Sequence, residues 1–251
     1  MSKRSSRAVI LSFLVILWLL PIVVVGTVWG DIHYWNYFLE PRVSSSSSSM
    51  TDEPTQRLKQ SILHVRVPSC DGSGSHSGTS FVISPGYVAT AAHVIKDHQA
   101  CGKEIELIDY RGLQYRAELS GYSDETQLDL ALLSFAETDL GALPLANSSS
   151  YEESALEVMT IGYPPDASTA DEAAVSSKGN ISSFREKVFF TSGMDLNPGN
   201  SGGPVFLTED WTVLGVAIAK GNPNQGREGL GVVVPADSLR AFFEDRIGRS
   251  P

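Results

Sequence analysis

Residues 79–93 read Thr-Ser-Phe-Val-Ile-Ser-Pro-Gly-Tyr-Val-Ala-Thr-Ala-Ala-His. Two short apolar runs, Thr79–Ile83 and Tyr87–Thr90, flank Ser84-Pro85-Gly86. Proline presets the φ of a turn and glycine supplies a left-handed residue, so the stretch predicts a β-hairpin ending close to a histidine. The same grammar recurs along the chain. Ile62–Val67, Glu104–Tyr110, Leu130–Phe135, Leu156–Ile161, Val188–Thr191, Pro204–Leu207, Val213–Ala219 and Leu230–Val234 are rich in Val, Ile, Leu and Phe and bounded by turn formers. Ten or more short strands without long helices between them predict an all-β barrel or sandwich. The exception is Pro235–Arg246, where Leu239, Phe242, Phe243 and Ile247 fall near helical spacing. Pro235 suits a first helical turn and Gly248 a stop, which predicts one terminal helix.

The chain in front of this domain is of another kind. Residues 8–28 read AVILSFLVILWLLPIVVVGTV without a charge. That is long enough to cross a bilayer as a helix, and Pro21 would kink it without forbidding it. Lys3, Arg4 and Arg7 precede the run and Trp29, Tyr34, Trp35 and Tyr37 follow it. Basic residues stay cytoplasmic and aromatics favour the interface, so the expected orientation is N-terminus inside. The rival reading is a cleaved signal peptide followed by secretion, for which the apolar core is long and Val28-Trp29-Gly30 a poor cleavage site. Six serines at 44–49 make a flexible tether. The expected organisation is a basic tail over 1–7, a transmembrane helix over 8–29, a juxtamembrane and Ser-rich linker over 30–54, and one folded domain over 55–248.

Lys3, Arg4, Arg7 and Arg42 stand against Asp31 and Glu40 in the first fifty residues, which leaves 15 basic and 27 acidic side chains beyond, a net charge of about −12. A domain so acidic repels phosphate backbones, which argues against a nucleic-acid partner. The two cysteines, Cys70 and Cys101, would be incidental in the cytosol but can form one disulfide on the outer side of a membrane. Asn147-Ser148-Ser149 and Asn180-Ile181-Ser182 fit the glycosylation triplet.

Three short stretches carry chemistry. Asn197-Pro198-Gly199-Asn200-Ser201-Gly202-Gly203-Pro204 sets one serine among small residues. A nucleophilic serine needs an exposed Oγ with backbone N–H groups nearby, and glycines let the chain turn and a substrate approach. The plain alternative is a Gly-rich turn. Thr90-Ala91-Ala92-His93 places an imidazole at a strand end, where it can take a serine proton and return it. A lone histidine is more often structural. His33 is juxtamembrane, His64 lies within a strand, and His76 and His98 are expected in polar loops. Asp129, just before Leu130-Ala131-Leu132-Leu133, can be partly buried and orient that histidine. By itself it is a common strand start.

Together, in the order His, Asp, Ser, these stretches resemble the trypsin-like serine proteases and within them the HtrA/Deg branch. The likeness covers about residues 58–246. It includes Gly78–Val94, Asp129–Leu133, Asn197–Pro204 and Gly229–Pro235. The resemblance implies two six-stranded antiparallel β-barrels with the active site between them and a terminal helix. His93 would be general base and acid, Asp129 its orienting partner and Ser201 the nucleophile. The oxyanion hole would consist of the backbone N–H groups of Gly199 and Ser201, with Asn200 nearby. No metal or organic cofactor is required, and no His/Cys cluster has zinc spacing. Substrates would be proteins or peptides. The PDZ domain common in that branch is not expected before the end at Pro251, and the oligomeric state is left open.

Asp195 lies six residues before Ser201, where relatives selective for Lys or Arg hold a pocket-floor carboxylate. The HtrA/Deg branch is arranged differently around this region, and the plain alternative for Asp195 is a turn cap or a solvated position. The pocket wall implied by the resemblance is Ala217, Ile218 and Ala219, running to Gly221. Two further functions compete with a membrane-anchored serine endopeptidase: a catalytically silent binding or scaffold protein of the same fold, and an esterase. The first normally lacks a member of the triad, and all are present. The second would place its serine in a Gly-x-Ser-x-Gly elbow, which the run around Ser201 does not form.

Overall fold

The computed structural model describes residues 57–136, 139–147, 155–163, 175–185, 187–194, 196–220 and 230–251. The expected transmembrane helix over 8–29 and the linker over 30–54 lie outside these residues. Among the described residues, no helix is long and apolar enough to cross a membrane.

Twelve strands form two closed antiparallel barrels of six. The first consists of β1 (Ile62–Pro68), β2 (Ser75–Ser84), β3 (Tyr87–Ala91), β4 (Ile105–Ile108), β5 (Gln114–Ser123) and β6 (Leu130–Phe135). It closes through β1 on β4, with Val65 opposite Leu107. The second consists of β7 (Glu157–Gly162), β8 (Val175–Phe184), β9 (Phe189–Ser192), β10 (Pro204–Leu207), β11 (Val213–Lys220) and β12 (Leu230–Pro235), and closes through β7 on β10. Four residues of 3-10 helix, Ala92–Ile95, follow β3 and lead into α1 (Lys96–Cys101). The chain ends with α2 (Ala236–Ile247).

The apolar runs lack strict alternation because both faces of these strands are buried. On β6, Ala131 and Leu133 fill the first barrel while Leu130 and Leu132 face a cluster shared with the second. On β2, Val82 points inward while Phe81 and Ile83 join that shared cluster. From the second barrel, Ile161, Phe206, Val216 and Val234 meet them there. Leu239, Phe242 and Phe243 of α2 belong to the same cluster. A strand buried on both sides reads as a continuous hydrophobic run. Breaks in register between Val82 and Ser84, and between Leu119 and Gly121, mark bulges of the kind that bend strands enough to close a barrel.

The expected hairpin is present, with Gly86 at φ +78° between β2 and β3. The C-terminal helix is present too, one residue later than expected. Pro235 is its extended N-cap, at φ −62° and ψ 150°, and Gly248 its left-handed C-cap. The sequence reading missed β5, β8 and α1. It also placed His76 and His98 in loops, whereas His76 lies in β2 and His98 in α1. His76 Nε2 stands 3.0 Å from Asp97 Oδ2, and His98 Nδ1 is 2.6 Å from the Lys103 carbonyl oxygen. Local partners hold both residues in regular structure.

Cys70 and Cys101 are joined by a disulfide. It ties the β1–β2 loop to the end of α1, eight residues after His93. Asp97 adds to the tie by accepting the Cys70 N–H at 3.2 Å.

Candidate active site

His93 sits in the 3-10 turn directly after β3, so the hairpin that decides the fold also delivers the imidazole. Asp129 immediately precedes β6, the neighbour of β3, in a register that pairs Ala91 with Leu130. The two side chains therefore emerge from adjacent strand ends. Asp129 Oδ2 is 2.7 Å from His93 Nδ1, and Asp129 Oδ1 accepts the His93 backbone N–H at 3.0 Å. The Ala92 N–H donates to the Asp129 carbonyl oxygen at 3.1 Å. Asp129 is buried, while the His93 side chain keeps 30% of its surface exposed. A carboxylate gripping both the backbone and Nδ1 leaves Nε2 as the ring nitrogen that faces outward chemistry.

This grip requires an uncommon backbone. Asp129 has φ +54°, a left-handed conformation that costs a non-glycine residue about 1–2 kcal/mol. Its own N–H donates to the Asp124 carbonyl at 2.9 Å, which closes the turn leading into β6. Aspartate tolerates this conformation better than most residues.

Ser201 comes from the second barrel, in the turn before β10. Asn200 N–H donates to the Asn197 carbonyl at 3.0 Å, closing a four-residue turn. Pro198 is its second residue and Gly199, at φ +96°, its third, the pattern of a type II turn. Gly202, at φ +84°, then bends the chain against β3. A Cβ there would lie 2.2 Å from both the Thr79 carbonyl oxygen and Thr90 Oγ1, and 2.7 Å from the Ala91 nitrogen. Only glycine permits that approach.

The same first-barrel strands hold Ser201 itself. Its carbonyl oxygen accepts the Thr79 N–H at 2.8 Å. A Cβ on Gly78 would strike Val94 at 2.6 Å and the Ser201 carbonyl oxygen at 2.8 Å, so serine and histidine turns are neighbours across Gly78. Gly202 N–H donates to the Ala217 carbonyl at 2.7 Å, and Ala217 N–H to the Gly203 carbonyl at 2.9 Å.

The structure thus gathers His93, Asp129, Gly199, Asn200 and Ser201 at the junction of the two barrels. Asn200 is buried and its N–H is used inside the turn. The Ala217 side chain packs in the second barrel's core, and Ile218 touches both the shared cluster and the first core. Ala219 lies on β11. Asp195 lies outside the described residues. Sequence reasoning passed over Thr79 and Thr90, whose hydroxyls are buried beside the serine turn. Their signal, two β-branched hydroxyl residues inside apolar strands, is common to many half-buried strands. Among the described residues, no group of His, Cys, Asp or Glu could hold a metal ion.

A two-barrel fold with a His–Asp pair on one barrel and a glycine-cradled serine on the other defines a chymotrypsin-like architecture. The model of the trypsin-like peptidase domain matches residues 78–216, and the chain belongs to that family. A probable periplasmic serine endoprotease, DegP-like, from Chlamydia pneumoniae is 33% identical over 165 residues, covering 63% of this chain and 32% of the relative. The magnetosome formation protease MamE of Paramagnetospirillum magneticum is 30% identical over 180 residues, 69% of this chain and 24% of that one. The chain therefore spans a third or less of these relatives. The crystal structure of a serine endoprotease from Yersinia pestis superposes with a TM-score of 0.62 at 24% identity, covering 77% of this chain and 65% of that one, a likeness of fold.

Proposed function

We propose that this chain is a serine endopeptidase that cleaves protein or peptide substrates through an acyl-enzyme. Ser201 Oγ attacks the scissile carbonyl carbon while His93 Nε2 takes its proton. Asp129 holds Nδ1 and stabilises the imidazolium. The oxyanion is received by the backbone N–H groups of Gly199 and Ser201. Collapse breaks the C–N bond, and His93 passes its proton to the leaving amine. Water then attacks the acyl-enzyme by the same route, freeing the carboxylic acid and restoring the serine. The observation that carries this reading is the 2.7 Å contact between His93 Nδ1 and Asp129 Oδ2, in the same barrel whose strand β2 is bonded through Thr79 to the Ser201 turn.

The reading includes an anchor. Residues 8–29 insert in a lipid bilayer as a single span, with the N-terminus cytoplasmic and the protease domain on the extracytoplasmic side. The uncharged run behind Lys3, Arg4 and Arg7 supports this. So do the Cys70–Cys101 disulfide, which suits an oxidising compartment, and the periplasmic relatives.

The test uses the full chain in detergent or vesicles, with casein as substrate and a fluorophosphonate as label. The reading expects the wild type to cleave and to be labelled at Ser201, and Ser201→Ala to do neither. A folded wild type that does neither would make the chain a silent, protease-fold binding protein. Protease protection of the domain in sealed vesicles tests the orientation.

A further inference from the structure

We propose that Thr79 is the positioning residue of the oxyanion turn, holding the Gly199 carbonyl so that the N–H groups of Gly199 and Ser201 stay aimed at one point. This rests on the peptidase reading above. Thr79 is fully buried on β2, in the first barrel, yet its hydroxyl and its N–H serve the second. Oγ1 donates to the Gly199 carbonyl oxygen at 2.6 Å and accepts the Tyr163 N–H at 2.9 Å. The backbone N–H donates to the Ser201 carbonyl at 2.8 Å, and the carbonyl accepts Thr90 Oγ1 at 2.7 Å.

The direction of this relay is not adjustable. A hydroxyl has one proton, and the Tyr163 amide can only donate, so the proton of Thr79 must point to Gly199. Its rotamer is fixed as well. A β-branched side chain is stiff at χ1, and the methyl arm packs where Gly203 lacks a Cβ, which would lie 3.2 Å from Thr79 Cγ2. Gly162 makes the same allowance from β7, since a Cβ there would come within 2.5 Å of Asn200 Oδ1 and 3.0 Å of Thr79 Oγ1.

The geometry then acts on the turn. The peptide between Gly199 and Asn200 is held at both ends, its oxygen by Thr79 and its N–H by the Asn197 carbonyl. The carbonyl of Ser201 is held by the same threonine. What distinguishes a type II from a type I turn is the orientation of the peptide before the third residue, here Pro198–Gly199. With the following peptides fixed, that peptide keeps one orientation and the Gly199 N–H one direction. Donors set before the reaction need no reorganisation as the oxyanion forms. Thr79 touches no substrate; it acts through Gly199 and Ser201.

Thr79→Val keeps the shape and removes the hydroxyl, and Thr79→Ser keeps the hydroxyl and removes the methyl. Both are assayed in the full chain beside wild type and Ser201→Ala, with casein kcat and KM, the rate of fluorophosphonate labelling and the melting temperature. The expected result is a folded Val variant whose kcat and labelling rate fall about 10- to 100-fold, with KM changed less than about 3-fold, and a Ser variant within about 3-fold of wild type. A folded Val variant with wild-type kcat overturns the proposal while leaving the peptidase reading standing. So does a Ser variant as slow as Val. Thr79→Ala replaces Val if Val does not fold, and failure of both to fold makes Thr79 a fold residue and overturns the proposal as well. No Ser201-dependent turnover by wild type overturns the peptidase reading itself.

Discussion

At the scale of single residues, the Asp129–His93 pair is where backbone conformation and chemistry meet. The left-handed φ of Asp129 turns its carboxylate under the ring, and one oxygen serves the backbone while the other serves Nδ1. Asp129→Asn would keep the shape but offer an N–H where an acceptor is needed. The expected loss in kcat is on the order of 10⁴-fold with near-wild-type stability. Casein turnover and thermal melting of the variant measure both. A second residue bears on stability instead. His64 is buried, stacks on Tyr163 with ring centroids 5.4 Å apart, and has no hydrogen-bond partner at Nε2 among the described residues. Burial first, and the positive charge of Arg66 second, lower its pKa from 6.5 to about 4. The unfolded chain therefore takes up a proton where the folded chain does not. The contribution of His64 is complete above pH 6.5 and is lost as the pH falls toward 4, by up to about 3 kcal/mol. Urea midpoints at pH 7.5 and 4.5 should differ more for wild type than for His64→Phe; equal differences would contradict the assignment.

At the scale of elements, legibility followed apolar content. Leu130–Phe135 and Pro204–Leu207 were read with their observed ends because each presents buried residues on both faces. β5 and β8 escaped because, although each pairs with a strand on both sides in its barrel, few of their residues are apolar and buried. Gln114–Ser123 buries only Ala117 and Ser123, and Val175–Phe184 carries mainly Ser, Lys, Asn and Gly. Pairing with neighbours, not their own pattern, makes them strands. The short α1 escaped for another reason: its six residues bury nothing and owe their place to the disulfide and to Asp97. Cys70→Ser with Cys101→Ser removes a link across 31 positions, which should lower stability by about 3–4 kcal/mol in the chain-entropy model. Denaturation with and without reductant measures the loss, and a reductant-insensitive wild type would contradict it.

At the scale of the molecule, the catalytic candidates depend on how two barrels are held together. The shared cluster contains residues of both barrels and of α2, so the helix fastens the interface over which the site is assembled. Phe243 is fully buried there and meets Tyr87 edge-on at 5.5 Å. Phe243→Ala should cost about 3–5 kcal/mol. Because Tyr87 begins the strand that ends beside His93, catalysis should be lost together with stability; a variant with wild-type stability would contradict the role given to α2. The sequence revealed the candidate site more fully than the barrels' strand count. Small residues around a serine, and a histidine after a strand, are local patterns, whereas barrel closure by β1 on β4 and β7 on β10 is a pairing between distant segments. Thr79 was hidden for the same reason, since its partners lie 84 and 120 positions away.

The central claim is that Ser201 is a nucleophile activated by His93, and fluorophosphonate labelling of the full chain tests it most directly. The account predicts a covalent adduct on Ser201 in the wild type, little in His93→Ala and none in folded Ser201→Ala. An unlabelled, folded wild type, or labelling that persists in Ser201→Ala, would contradict it.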